Sequence, residues 1–434
     1  MQGIVRIVLT ILAFNFIIII HELGHFWVAR LNGIKVLEFS LFLGPKIWGI
    51  RRGDTEYNIR LIPVLAYVKM EGEEESSDDE NSFSKKSVFA RMAVVVAGPL
   101  ANLVSSLVIL AIIFSMKGYQ TTKIVEVEPN SVAYNAGIRD GDRGVYYDNK
   151  RVYIPSDLSQ FFVLYGDEGA NLGIIRGNEK KNIMIPSGVV KEDRYILGFS
   201  TEKSGDNTVI DKIQEGYPAE AVGMLPKDRI LSLNGEKVSN LQDIIRYVDD
   251  NKDKEITVEV LRDNEKLEFK VIPKHIKYGP IVNLGVDFEK HRGNIGEVLV
   301  HSTKYIWANV RNVGYTIKRL VVGKVPIAKM SGPVGIVTTM SDAANMGQNL
   351  KERILSLLGM TAFISIAIGA TNLIPFPALD GNKLVLLMVE AVRGKPISPK
   401  TETKISMVGI VLLLGLALVT TFNDIVRLVQ RIRS

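Results

Sequence analysis

Residues 7–29 read IVLTILAFNFIIIIHELGHFWVA, and this stretch decides how the rest of the chain is read. No charge precedes Glu22 in it, so as a helix it is long and apolar enough to cross a hydrocarbon core of about 30 Å. Near its end stands His21-Glu22-Leu23-Gly24-His25, an HExxH sequence. Two histidines four apart share one helix face and can hold one metal ion, while Glu22 beside the first can take a proton from a water there. That is the ligand pattern of a zinc hydrolase, placed inside or very near a bilayer. Polar groups at such depth are costly and are kept for function, with partners nearby.

Composition agrees with an integral membrane protein. Mean hydropathy is positive although 23% of residues are charged, so strongly apolar and strongly polar regions alternate. At 434 residues the chain has room for two to four domains of roughly 100–200 residues each. The net charge of +6 is spread along the sequence with no aromatic-interleaved basic face, which argues against a nucleic-acid partner. There is no cysteine, so zinc ligands must come from His, Asp and Glu. A basic residue followed by an apolar run resembles a signal peptide, but HELGH stands where a small-residue cleavage site would be, and the segment is expected to be retained.

Three further runs, 88–116, 354–377 and 405–422, qualify as spans by length. Four spans place both termini on one side. The loop 30–91 is rich in lysine and arginine and is expected to be cytoplasmic, leaving both termini extracytoplasmic. Within that loop, 55–61 reads TEYNIRL, the alternation of a half-buried strand, and 39–50 is apolar and aromatic around Gly44-Pro45. A small β-sheet at the membrane face is expected over about 36–70, with Tyr57, Ile59 and Leu61 as a strand edge to which an extended substrate could add. The acidic and serine-rich stretch 71–80 reads as a solvated linker.

The polar region between spans two and three repeats itself. A constant offset of 86 sets Ala133 on Ala219, Gly137 on Gly223, Asp142 on Asp228, Arg143 on Arg229, Val152 on Val238 and Asp157 on Asp243. Each copy is expected to close on a Leu-Gly-apolar triplet, Leu197-Gly198-Phe199 and Leu284-Gly285-Val286. The pattern resembles PDZ domains, whose corresponding loop offers backbone N–H groups to a peptide C-terminus.

HExxH needs a third protein ligand. Metzincins place a histidine six residues after the second, but Leu31 stands there and Val28 occupies the intervening glycine position. His275, His291 and His301 all fall in the polar region. A better candidate ends the third span, where Asn372-Leu373-Ile374-Pro375-Phe376-Pro377-Ala378-Leu379-Asp380-Gly381 sets an aspartate after a segment broken by two prolines. Such breaks survive in membranes where they line a polar cavity.

Together these motifs resemble the site-2 protease family of intramembrane zinc metalloproteases, with HExxH in the first core span and N-x-x-P-x-P-x-L-D-G in a later one. Gly98-Pro99-Leu100-Ala101-Asn102 is similar to the G-P-x-x-N of the family's second span. Four spans, tandem PDZ domains, Ser331-Gly332-Pro333-Val334 and Phe422-Asn423-Asp424 resemble the bacterial RseP type. One departure stands out: Leu65-Ala66-Tyr67-Val68 replaces the usual Gly-Gly-Tyr-Val of the membrane-associated β-loop.

The resemblance implies a multi-span α-helical membrane protein with four transmembrane helices, a small membrane-associated β-sheet and two extracytoplasmic PDZ domains. Its expected division is 1–116 for the first two spans and β-loop, 117–200 and 201–290 for the PDZ domains, 291–353 as a connection, and 354–434 for spans three and four. It further implies that His21, His25 and Asp380 bind one zinc ion, that Glu22 is the general base, and that Asn372 holds the substrate backbone. The implied setting is a bacterial cytoplasmic (inner) membrane. The implied partners are lipid, single-span membrane substrates such as an anti-sigma factor or remnant signal peptides, and peptide C-termini at the PDZ domains. Two other readings fit the residues: a catalytically silent PDZ scaffold, and a protease acting on soluble loops at the membrane face.

Overall fold

The computed structural model describes residues 2–433 apart from 74, 76, 167–168, 188, 202–207, 215, 283, 328–329 and 344–348. It divides into two units, Met1–Tyr119 with His291–Ser434, and Gln120–Lys290. The apolar run at the start forms one unbroken helix, α1 (Gln2–Leu31). It stops where Gly33 takes φ 64° and Ile34 N–H returns to the Ala29 carbonyl, a left-handed termination that glycine tolerates without strain.

Two long strands follow, β1 (Val36–Arg52) and β2 (Thr55–Met70). The hairpin folds back on itself, so that 55–59 lies between 48–52 and 38–41, and 38–41 in turn lies between 55–59 and 66–70. The expected β-sheet is present, but 55–61 is not its edge. Tyr57 pairs with both Phe39 and Ile50, and Ile59 with both Leu41 and Trp48, which uses both ladders of that segment. The outer strand near α1 is instead 66–70. Fold-back is set by left-handed residues at Phe42 (φ 72°), Gly44 (86°) and Leu65 (66°).

α2 (Val88–Lys117) starts at Ser87, whose hydroxyl accepts from Ala90 N–H. It meets α1 through small residues: a methyl group on Gly24 would lie 2.4 Å from the Ala97 carbonyl and 2.8 Å from Ala101 Cβ. Close backbone approach of this kind is how helices associate where lipid removes any hydrophobic drive between them. Phe26, Ile34, Phe39, Met70, Val94 and Val95 make a shared core under the hairpin. Each such large side chain stabilises the arrangement by roughly 1.5–3 kcal/mol when fully buried.

The second unit contains two lobes. The first begins with β3 (Tyr119–Val127), α3 (Val132–Ala136), β4 (Arg143–Tyr147), β5 (Lys150–Arg151), α4 (Pro155–Tyr165), β6 (Ala170–Arg176) and β7 (Glu179–Ile185). β8 (Val190–Ile196) leads into the second lobe: β9 (Phe199–Thr201), β10 (Ile210–Ile213), α5 (Pro218–Ala221), β11 (Arg229–Leu233), β12 (Glu236–Lys237), α6 (Leu241–Asn251), β13 (Ile256–Arg262) and β14 (Glu265–Val271). β15 (Lys274–Val282) then pairs antiparallel with β8, and β16 (Val286–His291) returns to β3, giving the first sheet the order β16-β3-β4-β6-β7.

The repeat is structural as well as sequential. Arg176 bonds to Asp142 at 2.8 Å and to the Gly137 carbonyl; Arg262 bonds to Asp228 at 2.7 Å and to the Gly223 carbonyl. The closing triplets, however, are exchanged relative to expectation. Leu197 lies in the core of the second lobe, and its carbonyl accepts from Ala219 N–H, whereas the Leu284 carbonyl accepts from Ala133 N–H in the first. The β8–β15 ladder carries the chain across twice, so the first lobe is completed by 284–291 and the boundary does not fall at residue 200.

The chain re-enters the first unit as α7 (Ile295–Val321), α8 (Pro333–Ala343), α9 (Leu350–Asn372), α10 (Asp380–Arg393) and α11 (Pro399–Arg433). Among the described residues four segments are long and apolar enough to span a membrane: Val8–Leu31, Val88–Lys117, Leu350–Asn372 and Lys400–Val429. The third ends at Asn372 rather than at Pro377, because prolines lack the N–H that would extend it. α10 is fastened to α2 by the two-pronged pair Arg91–Glu390 (3.1 and 2.5 Å). The acidic stretch is not merely solvated: Glu73 pairs with Lys383 and Asp79 with Lys35, while 74 and 76 lie outside the described residues. Asp424 of α11 accepts from the N–H groups of Gly332 (2.9 Å) and Gly335 (2.7 Å) at the start of α8, joining the two short motifs noted in the sequence.

Candidate metal centre

α1 presents His21 and His25 on one face, as their spacing requires, and α2 aims them. His25 Nδ1 lies 2.8 Å from the Val94 carbonyl, which can only accept, so the proton is on Nδ1 and the Nε2 lone pair is free. Gly98 makes room for this ring, since a methyl there would lie 2.2 Å from His25 Nε2. His21 is buried, with Nδ1 3.3 Å from the Asn102 side chain.

The third group arrives from the far end of the chain. After α9 stops, residues 373–379 turn sharply, with Ala378 at φ 74°, and deliver Asp380 as the first residue of α10. Gly381 lies so close to the Leu373 and Ile374 carbonyls that any side chain would collide with them. Asp380 Oδ2 is 3.1 Å from His21 Nε2 and 3.6 Å from His25 Nε2, and the two Nε2 atoms are 3.2 Å apart. Ligands about 2.0–2.1 Å from a tetrahedral zinc ion are separated by roughly 3.3 Å, the mean of this triangle. Oδ2 is buried without a hydrogen-bond partner, and the three potential ligand atoms all lie within 4.8 Å of one another. The donor set therefore fits a zinc ion.

Glu22 follows His21 in the same helix turn, and its carboxylate accepts from Val68 N–H at 3.1 Å. The 66–70 strand thus lies beside Glu22. It is held by Glu38, which accepts from Arg60 (2.6 Å), Asn58 (2.8 Å) and Tyr67 Oη (2.8 Å). Burial pushes the Glu38 carboxyl up, but these three donors outweigh it and hold it below the usual range.

The profile of peptidase family M50 matches residues 9–416. The chain belongs to this family. It is similar, at 30% identity over 96% of its length and 98% of the other's, to zinc metalloprotease RasP of Bacillus licheniformis. Regulator of sigma-W protease RasP of Bacillus subtilis is 30% identical over 96% and 97% of the two chains, and protease RseP of Yersinia pestis 29% over 96% and 98%. This M50 peptidase is a zinc metalloprotease.

The remaining expected residues of the peptidase fall as follows. Asn372 ends α9, half-buried, and its amide has no partner among the described residues. Tyr57 is partly buried against Phe26 and Phe39 and accepts a bond from Arg30; Ile59 and Leu61 are exposed on the hairpin. Gly198 and Gly285 both take left-handed φ in their triplets, beside Phe199 and Val286, and both press on a neighbouring side chain, Tyr217 and Ser131. Two residues escaped the sequence reading. Val68 contributes a backbone group, which leaves no signature in side-chain type. Asn15 was detectable as an isolated amide in an apolar run, and it donates to the Pro63 carbonyl of the hairpin at 2.9 Å.

Proposed function

We propose that this chain cuts single-span membrane proteins within or next to their transmembrane segments, in the cytoplasmic membrane of a bacterium. The observation that carries this is the meeting of His21 and His25, on a helix long enough to span a bilayer, with Asp380, which follows the end of another such helix. Zinc held by these three atoms would polarise the scissile carbonyl and acidify a water. Glu22 takes a proton at its carboxylate and later returns it to the leaving amine. The Val68 N–H keeps one Glu22 oxygen engaged and so orients the other.

A transmembrane helix conceals its amides in internal bonds, so a substrate must be unwound and its backbone groups satisfied elsewhere. The outer strand 66–70 offers a ladder next to the base, and the Asn372 amide offers further donors and acceptors. The basic 30–91 loop supports a cytoplasmic hairpin with both termini and both lobes extracytoplasmic. We read the lobes as a PDZ pair that screens substrates, by binding a newly made C-terminus or by bulk. The sigma-W name of the Bacillus subtilis relative supports a membrane-bound anti-sigma factor as the substrate class.

The test is cleavage-site mapping on a purified single-span substrate, with zinc content measured in parallel. Cuts inside the apolar span support the proposal. Cuts confined to the polar flank would establish the alternative, a protease of soluble loops.

A further inference from the structure

The two histidines are oriented by the same helix but by different kinds of group. His25 is served by a main-chain carbonyl, Val94 O, eight residues before Asn102. His21 is served by the side chain of Asn102, which is fully buried. Its position is fixed by serine hydroxyls on its own carbonyl: Ser106 (2.7 Å), Ser105 (3.0 Å) and, from α9, Ser365 (3.1 Å).

The amide's oxygen, Oδ1, is buried without a partner. An amide nitrogen facing His21 would donate to Nδ1 and require the proton to sit on Nε2. That proton would point at Asp380 Oδ2 and remove the lone pair a metal needs. A half-turn of the amide brings Oδ1 to Nδ1–H and frees Nε2, with the amide nitrogen taking the place where Oδ1 stood. The fixed tautomer a metal ligand needs follows from that rotation.

We infer that Asn102 is a positioning residue: its side-chain oxygen accepts the Nδ1–H of His21 and holds that imidazole in the tautomer able to bind zinc. This rests on the zinc reading of His21. It explains the polar residue of the Gly98-Pro99-Leu100-Ala101-Asn102 motif as Gly98 is explained by the His25 ring. The matching device for His25 is main chain and cannot be mutated away, so Asn102 is where ligand basicity is open to change.

The experiment uses the full-length protein in detergent and reads zinc affinity by chelator competition, with the cobalt(II) absorption spectrum as a second readout. Asn102→Leu, similar in size but without an acceptor, is expected to weaken zinc by about 10–100-fold. Asn102→Asp, an acceptor only, is expected to keep wild-type affinity and a tetrahedral cobalt spectrum. Wild-type affinity in the Leu variant, or a tenfold or greater loss in the Asp variant, would overturn the inference. Should either variant not fold, the ¹⁵N shifts of His21 in zinc-loaded wild type decide: a protonated Nδ1 supports the inference, a metal-bound Nδ1 refutes it. Failure of wild type to bind zinc at all would remove the metal reading itself, an outcome distinct from either.

Discussion

The backbone N–H of Val68 donates to the carboxylate of Glu22 across 3.1 Å, so the outer strand of the hairpin and Glu22 are one assembly. Glu22→Gln preserves an acceptor for that bond and leaves His21, His25 and Asp380 intact. It is expected to retain stoichiometric zinc while lowering cleavage by about 10²–10⁴-fold, the usual worth of a positioned base. Metal analysis and turnover of one transmembrane substrate on the same preparation check both halves.

Asp380 has a different signature. Asp380→Ala removes a proposed ligand, so zinc affinity should fall by more than the roughly 10–100-fold typical of an outer-shell change. Competition with a chelator measures it, and unchanged metal content would exclude Asp380 from the ligand set.

The Arg91–Glu390 pair sits between α2 and α10 with both side chains nearly buried. Arg91→Met strands the Glu390 charge and should destabilise the first unit by about 3–5 kcal/mol, whereas replacing both partners by apolar residues should restore most of that. Because α10 begins with Asp380, the single variant should also weaken zinc. Unfolding and metal titration of the single and double variants test the coupling.

Leu65 adopts φ 66°, a conformation costing a residue with a Cβ about 1–2 kcal/mol. Glycine adopts this conformation without that steric cost. Leu65→Gly is expected to raise stability by up to about 1 kcal/mol, part of the gain being offset by glycine's chain entropy. Leu65→Val, β-branched, should lower it. Thermal midpoints of the two variants should move in opposite directions.

His301 stacks on Tyr119 with ring centroids 4.0 Å apart and also meets Phe114. Burial, with a smaller contribution from Lys304, pushes its pKa down to about 4. The folded state therefore binds fewer protons than the unfolded state between about pH 6.5 and 4. Its stabilising contribution is full above about pH 6.5 and is lost as pH falls toward 4. His301→Phe should flatten that acid limb in unfolding measurements made across this range.

What was legible in the sequence was whatever side-chain type and spacing encode. An uncharged run gives a helix long enough to span, histidines four apart give a shared helix face, and Asp380 after two prolines gives a carboxylate at a broken helix. The repeat at an offset of 86 was equally plain, yet the exchange of its triplets was not. Leu197 and Leu284 look alike in both positions, and only the β8–β15 ladder decides which lobe each completes. The edge strand was misplaced for a similar reason. Alternation in 55–61 marks a strand but carries no count of its neighbours, and the left-handed turns at Phe42 and Leu65 that fold the hairpin double occur at residues that do not announce them.

The nesting of the lobes also dictates an order of events at the ribosome. Domains ordinarily fold in the order they are synthesised. Here every strand from β9 to β14 is translated before β16, so the inner lobe can be finished while the outer one still lacks its border. Until translation reaches His291, β3 carries an open ladder of the kind that recruits stray chains. The inserted lobe therefore sets the length of a vulnerable interval in biogenesis, and lesions that slow its folding would be felt first as misassembly of the lobe encoded before it.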